Sequence, residues 1–267
     1  MTNINILSLS QITGISLIHS PLEQFEVVNL ISLNAPIFGY LNIALSNLAL
    51  YTIIVLNIVI FFHFLGNNDV KLIPSKWSIG LESSYASILS MVRSQIGEHN
   101  EEFFPLIYSI FFFVLLSNLL GNIPYNFTVT TSIIVSLGLS ITIFIAVTIL
   151  ALTKHKIAFF SFFIPAGTPL FLTPILTLIE LVSYLARAFS LGIRLFANMV
   201  AGHSLLKILA TFLSQMFTAG IIGAILTVIP FSIFVALIGL EIAVSLIQTY
   251  VLCLLTCSYL KDAIDLH

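Results

Sequence analysis

Long stretches without a charged side chain set the strongest limit on how this chain can fold. A stretch of about 20 apolar residues is enough for a helix to cross a lipid bilayer, and the sequence contains several such stretches. Charged residues make up only 7% of the chain and hydrophobic residues 59%, whereas roughly a quarter of the residues of soluble domains are charged. The sequence therefore predicts an all-α polytopic membrane protein. Its formal net charge of -2 is too small to indicate a nucleic-acid partner.

Interruptions in the apolar pattern divide the chain into about five membrane helices. The predicted spans are residues 43–64, 103–120, 130–152, 174–214 and 224–259. Glycine and proline between residues 121 and 127 separate the second span from the third. The last two spans are longer than a perpendicular crossing requires, so we expect both helices to tilt steeply. A turn between Gly220 and Gly223 would join them as an antiparallel hairpin.

The remaining segments predict an interfacial helix, an orientation and a possible leader. Apolar residues recur at steps of three and four over about residues 78–96, which is typical of an amphipathic helix lying along the membrane surface. The Lys and Arg residues cluster in two loops and at the C-terminus, so we expect these regions on the inner side and the N-terminus outside. Residues 20–267 are predicted to form a single membrane domain. Residues 1–19, which contain no Lys or Arg, are either a short cleaved leader or a disordered tail.

The fourth predicted span carries a stripe of polar and charged residues, of which Arg194 is the most unusual. An arginine at the centre of a membrane helix costs roughly 2.5–3.5 kcal/mol on insertion scales, and arginine does not escape that cost by losing its proton. The residues that follow one another at helical steps along this face are Glu180, Ser183, Arg187, Ser190, Arg194 and Asn198. Glu180, two turns before Arg187, is a possible ion-pair partner for it. Such a stripe indicates a functional site.

A similar stripe follows on the last span, at Glu241, Ser245 and Gln248. The assumed turn places His203 level with Glu241, and Arg194 level with Gln248. His203 comes nine residues after Arg194, so on a straight helix the two side chains lie on opposite faces. Two explanations stay open: the helix bends near Gly202, or His203 belongs to a different aqueous compartment from Arg194.

The chemistry of these residues favours proton transfer. Glu180, His203 and Glu241 can accept and release protons, and chains of ionisable residues within membranes mark proton relays. Arg194 cannot relay a proton, but it can hold a passing carboxylate in its ionised form and prevent direct transfer past itself. The sequence therefore predicts two half-channels separated by a fixed positive charge. It predicts no cofactor-binding or metal-binding residues.

The sequence resembles the subunit a family of F-type ATP synthases, in particular the fungal mitochondrial form. The resemblance extends over nearly the whole chain. Its motifs are Ser-Pro-Leu-Glu-Gln-Phe-Glu at residues 20–26, Asn-Leu-Leu-Gly-Asn-Ile-Pro-Tyr at residues 118–125, the segment 190–203, and Glu241 to Gln248. The segment 190–203, which contains Arg194, is the specific one.

The resemblance implies a stator subunit that is not itself an enzyme. Its long hairpin would lie against a rotating ring of c subunits, beside the peripheral stalk and other membrane subunits, in the mitochondrial inner membrane. Arg194 would be the essential arginine that releases the ring proton and separates the half-channels. His203 and Glu241 would serve the half-channel open to the intermembrane space, and Glu180 the matrix half-channel. Supporting polar roles would fall to Arg187, Asn198, Gln248, Ser183, Ser190 and Ser245.

Two other classes of membrane protein would also place polar residues within the bilayer. A haem-bearing respiratory subunit needs paired axial histidines on facing helices, whereas the six histidines here are scattered along the chain. A proton- or ion-coupled secondary transporter is the alternative function. It would be expected to show inverted repeats and helices broken at matching positions in two halves, and neither pattern is evident in the sequence.

Overall fold

The computed structural model describes residues 21–35, 41–66, 74–123, 126–163, 171–218 and 221–264. The possible leader, Ser20 of the first motif, Pro124 and Tyr125 of the second, and Gly220 of the assumed turn lie outside these ranges. The described chain is mostly helical. Its helices are α1 (Asn47–Gly66), α2 (Lys76–Ile96), α3 (Phe104–Gly121), α4 (Ile133–His155), α5 (Thr173–Thr218), α6 (Ile221–Leu226) and α7 (Val228–Ile264).

Five helical segments of the described chain are long and apolar enough to cross a membrane, which confirms the predicted fold class. They are Asn47–Gly66, Glu98–Gly121, Ile133–His155, Thr173–Thr218 and Val228–Ile264. The second begins with a short 3₁₀ helix at Glu98–Phe103, which leads directly into α3. The two long helices are longer than expected, at 46 residues for α5 and 37 for α7. The short helix α6 stands between them.

The first span begins later than predicted, because a small β-hairpin precedes it. Strands β1 (Asn29–Ala35) and β2 (Leu41–Ser46) pair antiparallel, so Ile43 lies in a strand rather than in a helix. The Ser46 hydroxyl oxygen accepts a hydrogen bond from the Ala49 backbone N–H at 3.3 Å, which satisfies one of the free donors at the start of a helix. Helix α1 therefore starts at Asn47.

Helix α2 is the amphipathic helix expected over residues 78–96. Ser75 caps its N-terminus by accepting a hydrogen bond from the Ser78 N–H at 3.2 Å. The helix ends at Gly97, whose φ of 93° is easily adopted only by glycine. Its buried side chains, which include Ile88 and Val92, belong to the hydrophobic core, where α2 packs against α7.

Helix α5 approaches α4 unusually closely at Gly192. A Cβ atom at this position would lie 3.0 Å from the Leu137 Cα and 3.0 Å from the Ser136 carbonyl oxygen. One turn away, the Ser140 hydroxyl donates a hydrogen bond to the Ala188 carbonyl oxygen. These contacts turn the Gly192 face of α5 toward α4. The face that carries Arg194, Phe189 and Ile193 stays exposed.

Helix α7 is held in the centre of the molecule by α3 and α4. The fully buried Asn118 on α3 connects two neighbouring elements. Its amide oxygen accepts a hydrogen bond from the Thr130 hydroxyl at 2.9 Å, and its amide nitrogen donates to the Thr249 hydroxyl at 3.4 Å. This network fixes the loop before α4 and the middle of α7 relative to α3.

Candidate functional site

Helices α5 and α7 form the predicted antiparallel hairpin, and polar side chains meet at several levels between them. Near the turn, His203 Nδ1 lies 3.6 Å from Glu241 Oε1, which confirms the expected pairing of these two residues. One level further along, the Asn198 amide donates a hydrogen bond to Gln248 Oε1 at 3.1 Å. The two stripes found in the sequence therefore face each other.

The expected pairing of Arg194 with Gln248 is wrong. Gln248 lies opposite Asn198, one turn further along α5, whereas Arg194 borders a cavity together with Leu255 and Ser258 of α7. The predicted register assumed that α5 and α7 advance by equal numbers of residues on either side of a single turn. In the structure α7 advances by more residues than α5 between the contacts of the hairpin, so the register shifts with distance from the turn.

Arg187 is paired with Asp262 rather than with Glu180. The guanidinium donates to Asp262 Oδ2 at 3.1 Å, and its carbon lies 5.6 Å from the centre of the Tyr259 ring, within range of a cation–π contact. Glu180 is half-buried two turns earlier on α5, and Ser183 is exposed. Asp262 was not among the predicted site residues, although Tyr259 and Asp262 continue the α7 stripe at steps of three and four.

A cavity of about 750 Å³ leads from the start of α1 to the His203–Glu241 pair. Its polar lining comes from several elements of the described chain. These residues are Gln24, Asn47, Tyr51, Asn122, Asn126, His203, Lys207 and Glu241. The side chain of His203 is 16% exposed and that of Glu241 is 8% exposed. The pair therefore lies on the wall of this cavity, among both polar and apolar side chains.

A second cavity, of about 250 Å³, continues on the other side of Glu241. Asn198, Ser245 and Gln248 line it together with Gly202. A Cβ atom at Gly202 would lie 2.7 Å from Glu241 Oε1, so a larger residue at this position would displace the carboxyl group. Glu241 therefore borders both cavities.

A third cavity, of about 370 Å³, lies on the other side of Asn198 along the hairpin. It is bordered by Arg187, Ser190 and Arg194 of α5 and by Ser258 and Asp262 of α7. Arg194 is the residue of this group nearest to Asn198 in the chain. Among the residues lining this cavity, Arg194 is therefore the one nearest along α5 to the cavities on the His203 side.

Arg194 and His203 line different cavities, although α5 is continuous through Gly202. Of the two explanations that the sequence left open, a bend near Gly202 or separate compartments, the lining of different cavities agrees with separate compartments.

Four buried polar atoms near the hairpin have no hydrogen-bond partner within the described residues. They are Asn122 Oδ1, His203 Nε2, Glu241 Oε1 and Gln248 Nε2. Asn122 also donates a hydrogen bond to the Ser245 hydroxyl at 2.9 Å. It was missed as a site residue, although it belongs to the motif quoted at residues 118–125. Across the described ranges, no group of three His, Cys, Asp or Glu residues is placed to hold a metal ion.

The fold and the site define a class of protein: a multi-pass helical membrane protein with ionisable side chains aligned along one helical hairpin. The sequence matches the family described as ATP synthase A chain over residues 49–261. It is 65% identical over 251 residues to ATP synthase subunit a of Mycosarcoma maydis, which covers 94% of this chain and 99% of that protein. The chain therefore belongs to the ATP synthase subunit a family, as its motifs predicted.

More distant relatives extend the same similarity. ATP synthase subunit a of Emericella nidulans is 44% identical over 249 residues, covering 93% of this chain and 97% of that protein. The protein of that name from Chondrus crispus is 43% identical over 251 residues, covering 94% of this chain and 98% of that protein. As a member of this family, the chain is a proton-translocating subunit of the membrane sector of ATP synthase.

Proposed function

We propose that the chain is the stator subunit that provides two proton half-channels and that Arg194 is the barrier between them. The observation that carries this proposal is the arrangement of the cavities along the hairpin. The cavities bordered by Glu241 reach as far as Asn198, and the cavity bordered by Asp262 begins at Arg194. A proton that passes from one side to the other must therefore leave the subunit near Arg194.

The half-channel on the His203 side takes protons from the intermembrane space. His203 and Glu241 carry them, while Asn122, Asn198, Gln248 and Ser245 support the path. Buried polar atoms in proteins are paired with protein groups or with ordered water. The four unpaired atoms beside these cavities are therefore suited to bind a chain of water molecules.

The half-channel on the Asp262 side releases protons to the matrix. Glu180 is its ionisable residue on α5, with Arg187, Ser183 and Ser190 as polar support. The contact of Arg187 with Asp262 adds a carboxylate that the sequence analysis did not select. Both members of this pair are about one-third exposed, so water can reach them from the third cavity.

Arg194 acts on a carboxylate carried by a ring of c subunits. Its permanent charge favours the ionised form of a carboxyl group that comes close, so a protonated ring carboxyl loses its proton there. The exposed position of Arg194 on α5 leaves it free to face such a partner. A proton driven through 100 mV supplies about 2.3 kcal/mol, so direct leakage past Arg194 would waste the energy that synthesis needs.

The same proposal includes the setting of the subunit. It is a single membrane domain over residues 20–267 in the mitochondrial inner membrane, contacts peripheral-stalk and other membrane subunits, and has no catalytic site for ATP. Residues 1–19 are either a cleaved leader or a disordered N-terminal tail. The N-terminus faces the intermembrane space and the C-terminus faces the matrix. His155 lies 3.2 Å from the Ala263 carbonyl oxygen, which brings the basic residues around it to the same end as Lys261 and supports this orientation.

Replacing Arg194 tests the barrier. In Arg194→Ala, proton-driven ATP synthesis should be abolished, while ATP hydrolysis by the detached catalytic head persists. Arg194→Lys should fail as well, because a buried ammonium can lose its proton and a guanidinium does not. Both activities are measured in membranes that carry the variant complex, and normal coupled synthesis in either variant would refute the assignment.

Arg93→Ala is the matched control for this experiment. Arg93 lies outside the candidate spans, where its hydrogen bond to the Glu101 carboxylate at 2.6 Å raises the pKa of the guanidinium. The substitution removes the same side chain from an exposed ion pair, which contributes little to stability. Coupled synthesis in this variant should stay close to the wild-type rate.

A further inference from the structure

We propose that the segment Pro21–Val28 forms the outer wall of the cavity that leads to His203, and that Phe25 is a positioning residue that controls the access of water and protons to the imidazole. The segment contains all but the first residue of the motif at residues 20–26, to which the two half-channels assign no task. This inference rests on the proposed role of His203 in proton uptake.

Asn47 fixes the segment to the beginning of α1. Its side-chain amide donates to the Glu26 carbonyl oxygen at 3.1 Å, and its amide oxygen accepts from the Val28 N–H at 3.3 Å. Its own backbone N–H donates to the Val28 carbonyl oxygen at 3.0 Å. Since Asn47 also borders the large cavity, these bonds hold the segment at the rim of that cavity.

From this attachment the segment reaches across to α5. Its 3₁₀ helix, Pro21–Phe25, contacts α5, and Gln24 contributes to the lining of the large cavity. The ring centre of Phe25 lies 6.3 Å from that of His203, with an angle of 64° between the ring planes. This edge-on arrangement is a favourable geometry for two aromatic rings.

The contact places an apolar ring on one side of the imidazole and a carboxylate on another. Nδ1 of His203 faces Glu241, so Phe25 limits how far the imidazole can turn away from that carboxylate. Phe25 also excludes water from the side that it covers. It carries no proton itself and acts through the orientation and exposure of His203.

Chemical labelling of His203 in the intact ATP synthase tests whether the segment Pro21–Val28 restricts access to the imidazole. Diethyl pyrocarbonate modifies accessible imidazoles, and mass spectrometry gives the labelling rate at each histidine. In Phe25→Ala we expect labelling of His203 to be several-fold faster than in the wild type. His63, which packs against Tyr108 and Phe112 elsewhere in the molecule, should be labelled at an unchanged rate and is the internal reference.

Val27→Ala is the control from the same segment. Val27 is 48% exposed, so its loss should leave the labelling of His203 at the wild-type rate. Phe25→Leu keeps an apolar side chain but loses the ring edge, so it should increase the labelling rate of His203 by less than Phe25→Ala does. This second variant keeps the test possible if Phe25→Ala does not assemble. A His203 rate in the Phe25 variants equal to that in Val27→Ala overturns the proposal.

A second measurement distinguishes a role of Phe25 in proton access to His203 from a role in packing alone. Membranes stripped of the catalytic head conduct protons passively, and in Phe25→Ala we expect this conduction to fall several-fold because His203 is no longer held against Glu241. Faster labelling with conduction equal to or above that of Val27→Ala overturns the positioning role of Phe25. Labelling does not depend on whether Arg194 is a barrier, so failure of the half-channel proposal would show separately, in the Arg194 variants.

Discussion

Glu241 illustrates how much a single residue depends on its immediate neighbours. The sequence identified it because a carboxyl group in an apolar span is costly and therefore selected for a purpose. Its dependence on Gly202 was not predictable, because it arises from the distance between two helices rather than from a pattern on either one. Asp262 and Asn122 were missed for a similar reason: each gains its importance from a partner on a distant part of the chain, Arg187 and Ser245 respectively.

Gly202→Ala should impair proton-driven ATP synthesis several-fold. The added methyl group would lie 2.7 Å from Glu241 Oε1, so the carboxyl group must rotate away from its position between the two cavities. Gly239→Ala on α7 is the control, since a Cβ atom there meets nothing within 4 Å. The two variants are compared by their rates of ATP synthesis in membrane vesicles. Equal rates would show that the position of Glu241 does not limit the rate of synthesis.

At the scale of elements, the sequence predicted the membrane helices well because apolar length and helical period are local properties. It placed α2 within two residues of its observed start. It did not detect the β-hairpin before α1, since the apolar run from Ile43 onward does not mark where a strand ends and a helix begins. It gave the correct register between α5 and α7 at His203 and Glu241 but not at Arg194, because the register there depends on how these helices pack against α3 and α4.

Paired cysteine substitutions should reproduce the register of the hairpin. Asn198→Cys combined with Gln248→Cys should form a crosslink readily with a short bifunctional thiol reagent, because the ends of the native side chains meet at 3.1 Å and the reagent replaces their length. Arg194→Cys with Gln248→Cys should form it poorly, since Arg194 lies one turn away. Gel mobility after cleavage between the helices measures the yield, and a higher yield for the second pair would contradict the observed register.

The close approach of α5 to α4 gives a second prediction for the elements. Gly192→Ala requires a backbone shift, because the new methyl group would lie 3.0 Å from the Leu137 Cα, and overpacking of this kind typically costs about 1–3 kcal/mol. The shift would move Arg194 outward, so coupled synthesis should fall several-fold. Gly138→Ala, whose Cβ meets nothing within 4 Å, should retain synthesis, and equal losses in both variants would point to a general effect of alanine.

At the scale of the whole molecule, the large cavity and the Arg194 cavity lie at different levels of the helical bundle. The large one lies near the start of α1 and the end of α3, and the Arg194 cavity lies near the C-terminus of α7. Between them, the Arg194 face of α5 presents exposed apolar side chains such as Phe189 and Ile193. Hydropathy alone could not separate lipid-facing from partner-facing surfaces, because both are apolar.

Purification of the complex tests the partner proposed for this face. The chain should be isolated together with a ring of small two-helix proteolipids. Crosslinks from Ile193→Cys should reach those proteolipids, whereas Ile134→Cys, an exposed position on α4, should give none. Crosslinking of Ile134→Cys alone would place the ring on a different surface.

The position of Glu241 at the junction of two cavities limits how fast current can flow. One carboxyl group holds one proton at a time, so protons pass it one after another rather than as through an open pore. Under the proposed pathway, passive conductance should approach a ceiling as the driving force rises, instead of increasing in proportion to it. Recordings from head-stripped membranes over a range of imposed gradients would show this saturation, and a linear response would mean that protons pass Glu241 by another route.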